Sequence, residues 1–299
     1  MYSTNTICPV CHKDNIEILL HSKDYSLTQT PFTIVSCLHC QLQFTNPIPN
    51  KEEIVPYYQF SQYISHTDVK EGWMNKLYHR VRTHTLTQKT NWVQSLFTGH
   101  KGNLLDIGAG TGAFANAMAQ KDWKVTALEP DEASRNRAAA NYGIHLQTPE
   151  TLYNLPPQSF DVITLWHVLE HVHDLTAYME SFSKLLKYNG RLIIAVPNHT
   201  SFDAAYYKEF WAAYDVPRHL YHFTPASLQT LCKQHQLQIL QYKPMWFDSF
   251  YVSLLSEKYK QSGMLGILRA FIIGCISNIY AWKNAKRASS IIYEIKKIG

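Results

Sequence analysis

The chain has 299 residues, 45% of them apolar, and a formal charge of +5 from 28 basic and 23 acidic side chains. That length can bury one full α/β core plus a small metal-supported unit, and 12 glycines with 13 prolines are too few for a disordered or fibrous chain. The charges are dispersed, so no basic tract marks a nucleic-acid groove, and unpaired cysteines without an export signal give a cytoplasmic expectation.

The first element, residues 1–48, carries Cys8-Pro9-Val10-Cys11 and Cys37-Leu38-His39-Cys40 around a stretch with strand character. Two Cys-x-x-Cys knuckles at this distance have the spacing of a zinc ribbon held by Cys8, Cys11, Cys37 and Cys40. Four thiolates in tetrahedral geometry leave no open position, so the zinc would be structural. The alternative is a disulfide framework, disfavoured because Cys232 and Cys275 stand alone far away. His12 and His39 flank the knuckles and are substitutes for a thiolate only in principle. Residues 49–100 follow as a cap or linker, with Tyr57, Tyr58, Tyr63 and Trp73 ahead of a helical stretch through Trp92 and Phe97. For Tyr63 plain packing is the simpler reading.

Residues 101–299 read as the core. Apolar runs at 103–107, 124–128, 161–165 and 191–196 have the length and bulk of strands buried on both faces, separated by helix-like stretches. This predicts a doubly wound, mostly parallel sheet. Asn189-Gly190 is read as a left-handed turn ending a helix, and 227–236 as a helix before a strand at 237–240. A last strand at 288–295 should run antiparallel to 237–243, with about forty inserted residues, 245–285, between the two. The first strand runs into Gly108-Ala109-Gly110-Thr111-Gly112, whose alternate glycines let the backbone turn sharply and approach a ligand. Glu129 closes the next strand, where a carboxylate can accept both hydroxyls of a ribose. No Lys-Ser/Thr follows the loop, so a ribose without a pyrophosphate is favoured.

With Leu105-Asp106-Ile107-Gly108-Ala109-Gly110-Thr111-Gly112 the chain resembles the class I S-adenosylmethionine-dependent methyltransferases. The resemblance continues through Phe160 to Val172, similar to that family's fourth strand and following helix, and through Leu185 to Asn198, similar to its helix end, turn and fifth strand. It implies a Rossmann-like seven-stranded sheet with an antiparallel last strand. It also implies S-adenosylmethionine bound by Asp106, Gly108, Gly110, Gly112, Glu129, Pro130, Trp166 and His167, with the 49–100 segment closing over it. A zinc ribbon ahead of such a core is similar to a bacterial subfamily that includes sugar and secondary-metabolite methyltransferases.

Asp215-Val216-Pro217-Arg218-His219-Leu220-Tyr221-His222 follows the fifth strand and should overhang the strand ends. An imidazole there can deprotonate a hydroxyl and a guanidinium can hold an anion, so His219, His222 and Arg218 are the catalytic candidates. Histidines that bind backbone beside the helix start at Thr224-Pro225 are the alternative. Glu170 between His167 and His171 is expected to organise the helix start rather than hold a catalytic metal, for which these three residues are too few. In the insertion, 264–282 is strongly apolar but contains Arg269 and Asn278 and must return to the sheet, so it is not read as spanning. Packing on its own domain or in a homodimer is the first expectation, and peripheral membrane contact the second.

The expected activity is transfer of the sulfonium methyl to an oxygen or carbon nucleophile of a small molecule or of a glycan or secondary-metabolite precursor, without nucleic-acid partners. The alternative is RNA or protein methylation with the ribbon as docking module.

Overall fold

Three short strands grow out of the cysteine knuckles: β1 (Ile16–Lys23), β2 (Pro31–Cys37) and β3 (Gln43–Thr45), paired antiparallel in that order. The structure, a computed structural model, describes residues 4–58, 73–97 and 101–298, with the side chains of 73–79 left aside. Tyr63 and the side chain of Trp73 therefore lie outside the described residues. The two knuckles repeat one backbone turn. His12 N–H donates to the Cys8 carbonyl and Gln41 N–H to the Cys37 carbonyl, each at 3.0 Å, with both donors at positive φ (56° and 64°).

Helix α1 (Trp73–Ser95) leads into the core. There the strands are β4 (Asn103–Ile107), β5 (Lys124–Leu128), β6 (Phe160–Trp166) and β7 (Leu186–Pro197), all parallel, then β8 (Tyr221–His222), β9 (Leu237–Pro244) and β10 (Ser290–Lys297). The main sheet runs β5-β4-β6-β7-β10-β9, and β10 is antiparallel to both neighbours. Among the described residues it has six strands. The expected seventh is reduced to one parallel bridge, Leu128 to Gln147, on the β5 edge. Pro149 follows within two residues and removes a ladder donor.

Alternation decides which helices cover which face. Leu104, Val162 and Ile193 pack with Phe114 and Met118 of α2 (Ala113–Ala119) and Val93 of α1. Leu105, Ile163 and Ile194 pack instead with Met179 and Phe182 of α4 (Leu175–Leu185) and Leu228 of α6 (Pro225–Gln234). Between them in sequence are α3 (Glu132–Tyr142), after β5, and α5 (Phe202–Tyr207), after β7. Burying both faces is what the uninterrupted apolar runs require. At Asn189-Gly190 the expectation fails, because β7 continues through it, with a register shift against β6 between Leu186 and Arg191, and Gly190 has no left-handed φ. Glycine is needed there for room: a Cβ would stand 2.8 Å from Leu186 Cδ1 and 3.0 Å from the Asp161 carbonyl.

The ribbon is welded to the core. β8 adds a fourth strand to β1-β2-β3, with Gln43 opposite His222 and Phe44 opposite Tyr221. Thr45 extends the seam, its N–H to the Leu220 carbonyl (3.0 Å) and its hydroxyl to the His219 carbonyl (2.8 Å).

The insertion forms a helical hairpin, α7 (Asp248–Tyr259) and α8 (Gly263–Lys283), between β9 and β10. It is tied down by Asp203 of α5, a buried carboxylate that accepts from Ser277 Oγ (2.6 Å) on α8, Ser289 Oγ (2.7 Å) and Trp211 Nε1 (2.8 Å). Three donors satisfy the charge, and each would be left unpaired if the carboxylate were removed.

Candidate active site

The crevice lies beyond the carboxyl ends of β4 and β6, where the strand order reverses. A cavity of about 1610 Å³ opens there, bringing together Asp106, Gly108, Gly110, Trp166 and His167 with Arg218 and His219. Gly112, Glu129 and Pro130 adjoin the loop without lining that space, and His222 is away from it.

Each loop glycine sits at positive φ, 67° at Gly108, 54° at Gly110 and 78° at Gly112. A side chain at Gly108 would collide with Val168, and a Cβ at Gly112 would approach the Ala138 Cβ to 2.9 Å. At Gly110 nothing lies within 4 Å, so this turn leaves its outer side open for a ligand. Gly110 N–H donates to Glu129 Oε2 (2.7 Å) and Asp131 N–H to Oε1 (3.0 Å). These bonds orient the carboxylate and leave it two acceptor positions, as many as a ribose diol needs. Burial raises the Glu129 pKa against the pull of both amides. Burial likewise pushes Asp106 up to about 7, although Thr164 Oγ1 donates to it at 2.7 Å.

His167 stands between two carboxylates, Nε2 at 3.0 Å from Asp248 Oδ2 and Nδ1 at 3.3 Å from Glu170 Oε1. Burial works against its charge, but the two hydrogen-bonded anions outweigh it and push His167 up to about 9. It is therefore an imidazolium at neutral pH, a donor on both sides rather than a base. Lys89 of α1 points into the same space, its Nζ 4.3 Å from the centre of the Trp166 ring, with burial lowering its pKa. Trp166 Nε1 is buried without a hydrogen-bond partner among the described residues. Sequence reasoning missed Lys89 and Asp248, since a lone lysine within a polar helix and the first residue of an inserted one carry no motif.

The 215–222 segment separates into different tasks. Arg218, 3% exposed, bonds Asp215 through Nε (3.0 Å) and Nη2 (2.6 Å) and reaches Asp24 Oδ1 (3.1 Å) and Ser26 Oγ (2.5 Å) in the β1–β2 connection. Burial opposes its charge, yet Asp215 and Asp24 hold it firmly protonated. His222 is buried in β8 against the Tyr214 ring, its Nε2 lacks a partner among the described residues, and burial takes its pKa well below the usual histidine range. His219 alone of the two histidines lines the cavity. Its Nδ1 lies 2.8 Å from the Ala213 carbonyl, which can only accept, so Nδ1–H donates there, and Nε2 stands 4.0 Å from Asp215 Oδ2. The His171 ring packs edge-on against it (centroids 4.6 Å apart) and donates from Nδ1 to the Arg218 carbonyl at 3.0 Å. Burial lowers His171 to about 4 and keeps it neutral.

His219 also completes a group that the sequence left short. Glu170, His171 and His219 each offer a donor atom within 4.8 Å of the others, a set that can hold a divalent cation. Glu170 and His171 are consecutive residues of one short turn, Leu169–His171, but the third member comes from another segment, which short-range spacing could not reveal. In the ribbon, the sulfurs of Cys8, Cys11, Cys37 and Cys40 fall within the same limit, and His12 and His39 stay exposed outside the group. Sγ separations of 3.5 Å (Cys8–Cys40) and 3.4 Å (Cys11–Cys37) are far too long for disulfides. They are close to the roughly 3.8 Å edge of a tetrahedron with metal–sulfur bonds of about 2.3 Å.

A family model described as a methyltransferase domain matches residues 78–242, more than half the chain. The chain belongs to that family. It is a class I S-adenosylmethionine-dependent methyltransferase. Relatives named ubiquinone biosynthesis O-methyltransferase share 27% identity in Paracidovorax citrulli, over 58% of this chain and 77% of theirs. The protein of that name in Idiomarina loihiensis shares 28% over 60% and 78%. The fold is similar to magnesium protoporphyrin IX methyltransferase from Synechocystis PCC 6803 with bound SAH, at TM-score 0.54 and 13% identity over 83% of this methyltransferase and all of that one. It is similar also to the 1,6-didemethyltoxoflavin-N1-methyltransferase of Burkholderia thailandensis, at TM-score 0.50 and 15% identity over 88% and 98%.

Proposed function

We propose that this methyltransferase acts on a hydroxyl, or an activated carbon, of a small molecule or of a glycan or secondary-metabolite precursor. The observation that carries the reading is His219, whose imidazole lines the same cavity as the glycine loop, with Nδ1 held by the Ala213 carbonyl and Nε2 4.0 Å from Asp215 Oδ2. The relatives named as O-methyltransferases favour oxygen as the acceptor atom. The completion of the ribbon's sheet by β8 gives the ribbon a positioning role, which speaks against docking of RNA or protein as its purpose.

Glu129 would hold the ribose hydroxyls, Gly108 and Gly110 give the backbone approach, and Trp166 with Phe114 supplies an apolar wall. Bound S-adenosylmethionine supplies an electrophilic methyl on a positive sulfur. The protein's remaining work is to align the acceptor and take its proton. His219 Nε2 accepts that proton while Ala213 and His171 hold the ring in place. Arg218, held by Asp215 and Asp24, positions the segment. His167, fixed as a cation, braces Asp248 and so the α7 wall of the cavity. The four cysteines would hold a structural zinc that fixes the ribbon and, through β8, the loop bearing His219.

One experiment tests the two ligand assignments. Native mass spectrometry of freshly purified protein should find one zinc per chain and bind S-adenosylhomocysteine stoichiometrically. Glu129→Ala should keep the zinc and bind the nucleoside on the order of tenfold to a hundredfold more weakly, having lost two bonds to a charged acceptor. Equal affinity would remove Glu129 from the site, and a chain without zinc would remove the ribbon assignment.

A further inference from the structure

Helix α8 reverses the usual arrangement of a surface helix. Its buried stripe is made of small residues, Gly266, Ala270, Gly274, Ser277 and Ala281, with only Ile273 of any bulk. The bulky apolar side chains face outward: Met264 is 89% exposed, Leu265 72%, Leu268 60%, Phe271 60% and Trp282 78%. Close packing against α7 demands the small stripe, since a Cβ at Gly274 would stand 2.5 Å from the Phe250 ring and one at Gly266 3.2 Å from Glu257 Cβ. The helix has therefore already met its partner within the fold. Apart from Phe271, whose ring also stacks on Phe250 of α7, the large residues are surplus to that packing, and an apolar face of this kind marks an interaction surface.

The charges around this face have one sign. Lys258 and Lys260 precede the helix, and Lys283, Lys286 and Arg287 follow it, all exposed. The only acidic residues from 245 to 287 are Asp248 and Glu257, and both turn inward, to His167 and to Tyr207 with Arg269. We propose that α8 docks on an anionic bilayer, lying in the interface with its apolar face among the upper acyl chains and its basic ends on the headgroups. A second copy is the weaker occupant, because a two-fold contact through this face would press two basic rims together. A spanning arrangement is opposed by the stripe packed on α7 and by the Ser277–Asp203 bond, which hold α8 along its length against the protein. At 21 residues it is roughly 31 Å long, enough for a broad in-plane footprint. α7 also walls the cavity through Asp248, Tyr251 and Leu255, so docking would set that wall beside the membrane.

Flotation of the full-length chain with phosphatidylcholine vesicles, with or without phosphatidylglycerol, tests the proposal independently of any methyl acceptor. Binding should require phosphatidylglycerol and weaken with salt. Reversing Lys283, Lys286 and Arg287 together to Glu should weaken it by roughly a hundredfold or more, at about 1 kcal/mol per basic residue. Leu265→Glu with Leu268→Glu should abolish it, while the melting temperature stays at the wild-type value because these side chains are exposed. In the unsubstituted chain, brominated lipid should quench fluorescence that Trp282→Phe removes. Absence of vesicle binding, or binding indifferent to all these substitutions, overturns the proposal. So does a dimer seen in sedimentation that depends on Leu268 and never associates with lipid, which would assign the face to a second copy.

Discussion

Arg218 and His219 are neighbours in one loop, and both were catalytic candidates from sequence, the guanidinium to hold an anion and the imidazole to take a proton; their surroundings differ sharply. Nε and Nη2 of Arg218 are taken by Asp215, Asp24 and Ser26, Nη1 reaches the Tyr57 carbonyl, and the side chain joins the loop to the β1–β2 connection. His219 spends Nδ1 on the Ala213 carbonyl, while Nε2 stands 4.0 Å from Asp215 Oδ2 and the ring lines the cavity. A polar group with all its valences used by the fold holds structure, whereas one that the fold orients and leaves incomplete is available to a ligand.

The sharpest way to break this contrast is Arg218→Ala. It leaves the buried Asp24 and the half-buried Asp215 without their counter-charge, so urea denaturation should show a loss of about 3–5 kcal/mol. A stable variant with lost turnover would instead make Arg218 a substrate group. Next in size is His219→Ala, expected to lower single-turnover methylation by roughly a hundredfold, about 2.7 kcal/mol in the barrier, with cofactor affinity near wild type. His222→Ala should leave the rate constant for bound acceptor far less affected. If the two behave alike, the loop acts only as scaffold. The smallest effect concerns His167. Folded, it keeps its proton to about pH 9, whereas unfolded it releases it near 6.5, so its stabilisation is complete below 6.5 and fades as pH rises toward 9. The stability gap between wild type and His167→Gln should thus shrink across that window, by on the order of 1 kcal/mol after allowance for the ring's partial exposure.

The parallel strands were legible because burial on both faces leaves few choices of residue: 103–107 and 124–128 coincide with β4 and β5. The glycine loop was legible because positive φ is costly for other residues. What was hidden depends on distance in sequence. Tyr221–His222 has too little pattern to announce a strand, and only the exposed edge of β3 makes it one. Asp248 reaches His167 across the insertion, and His219 joins Glu170 and His171 from nearly fifty residues downstream, with no local period to reveal either. Gly190 was misjudged because the sequence shows that a side chain is missing without showing whether torsion or room requires its absence.

The pairing of β3 with β8 also orders events in the life of a nascent chain. Residues 8–45 can leave the ribosome and gather their cysteines early, but the free edge of β3 stays open until residue 222 has been made, with β4 to β7 synthesised in between. During that interval the ribbon displays an unpaired row of amides and carbonyls, the kind of edge that recruits foreign strands. Arrival of Tyr221–His222 both closes the edge and threads the His219 loop into position, so protection from misassembly and completion of the active site are one step.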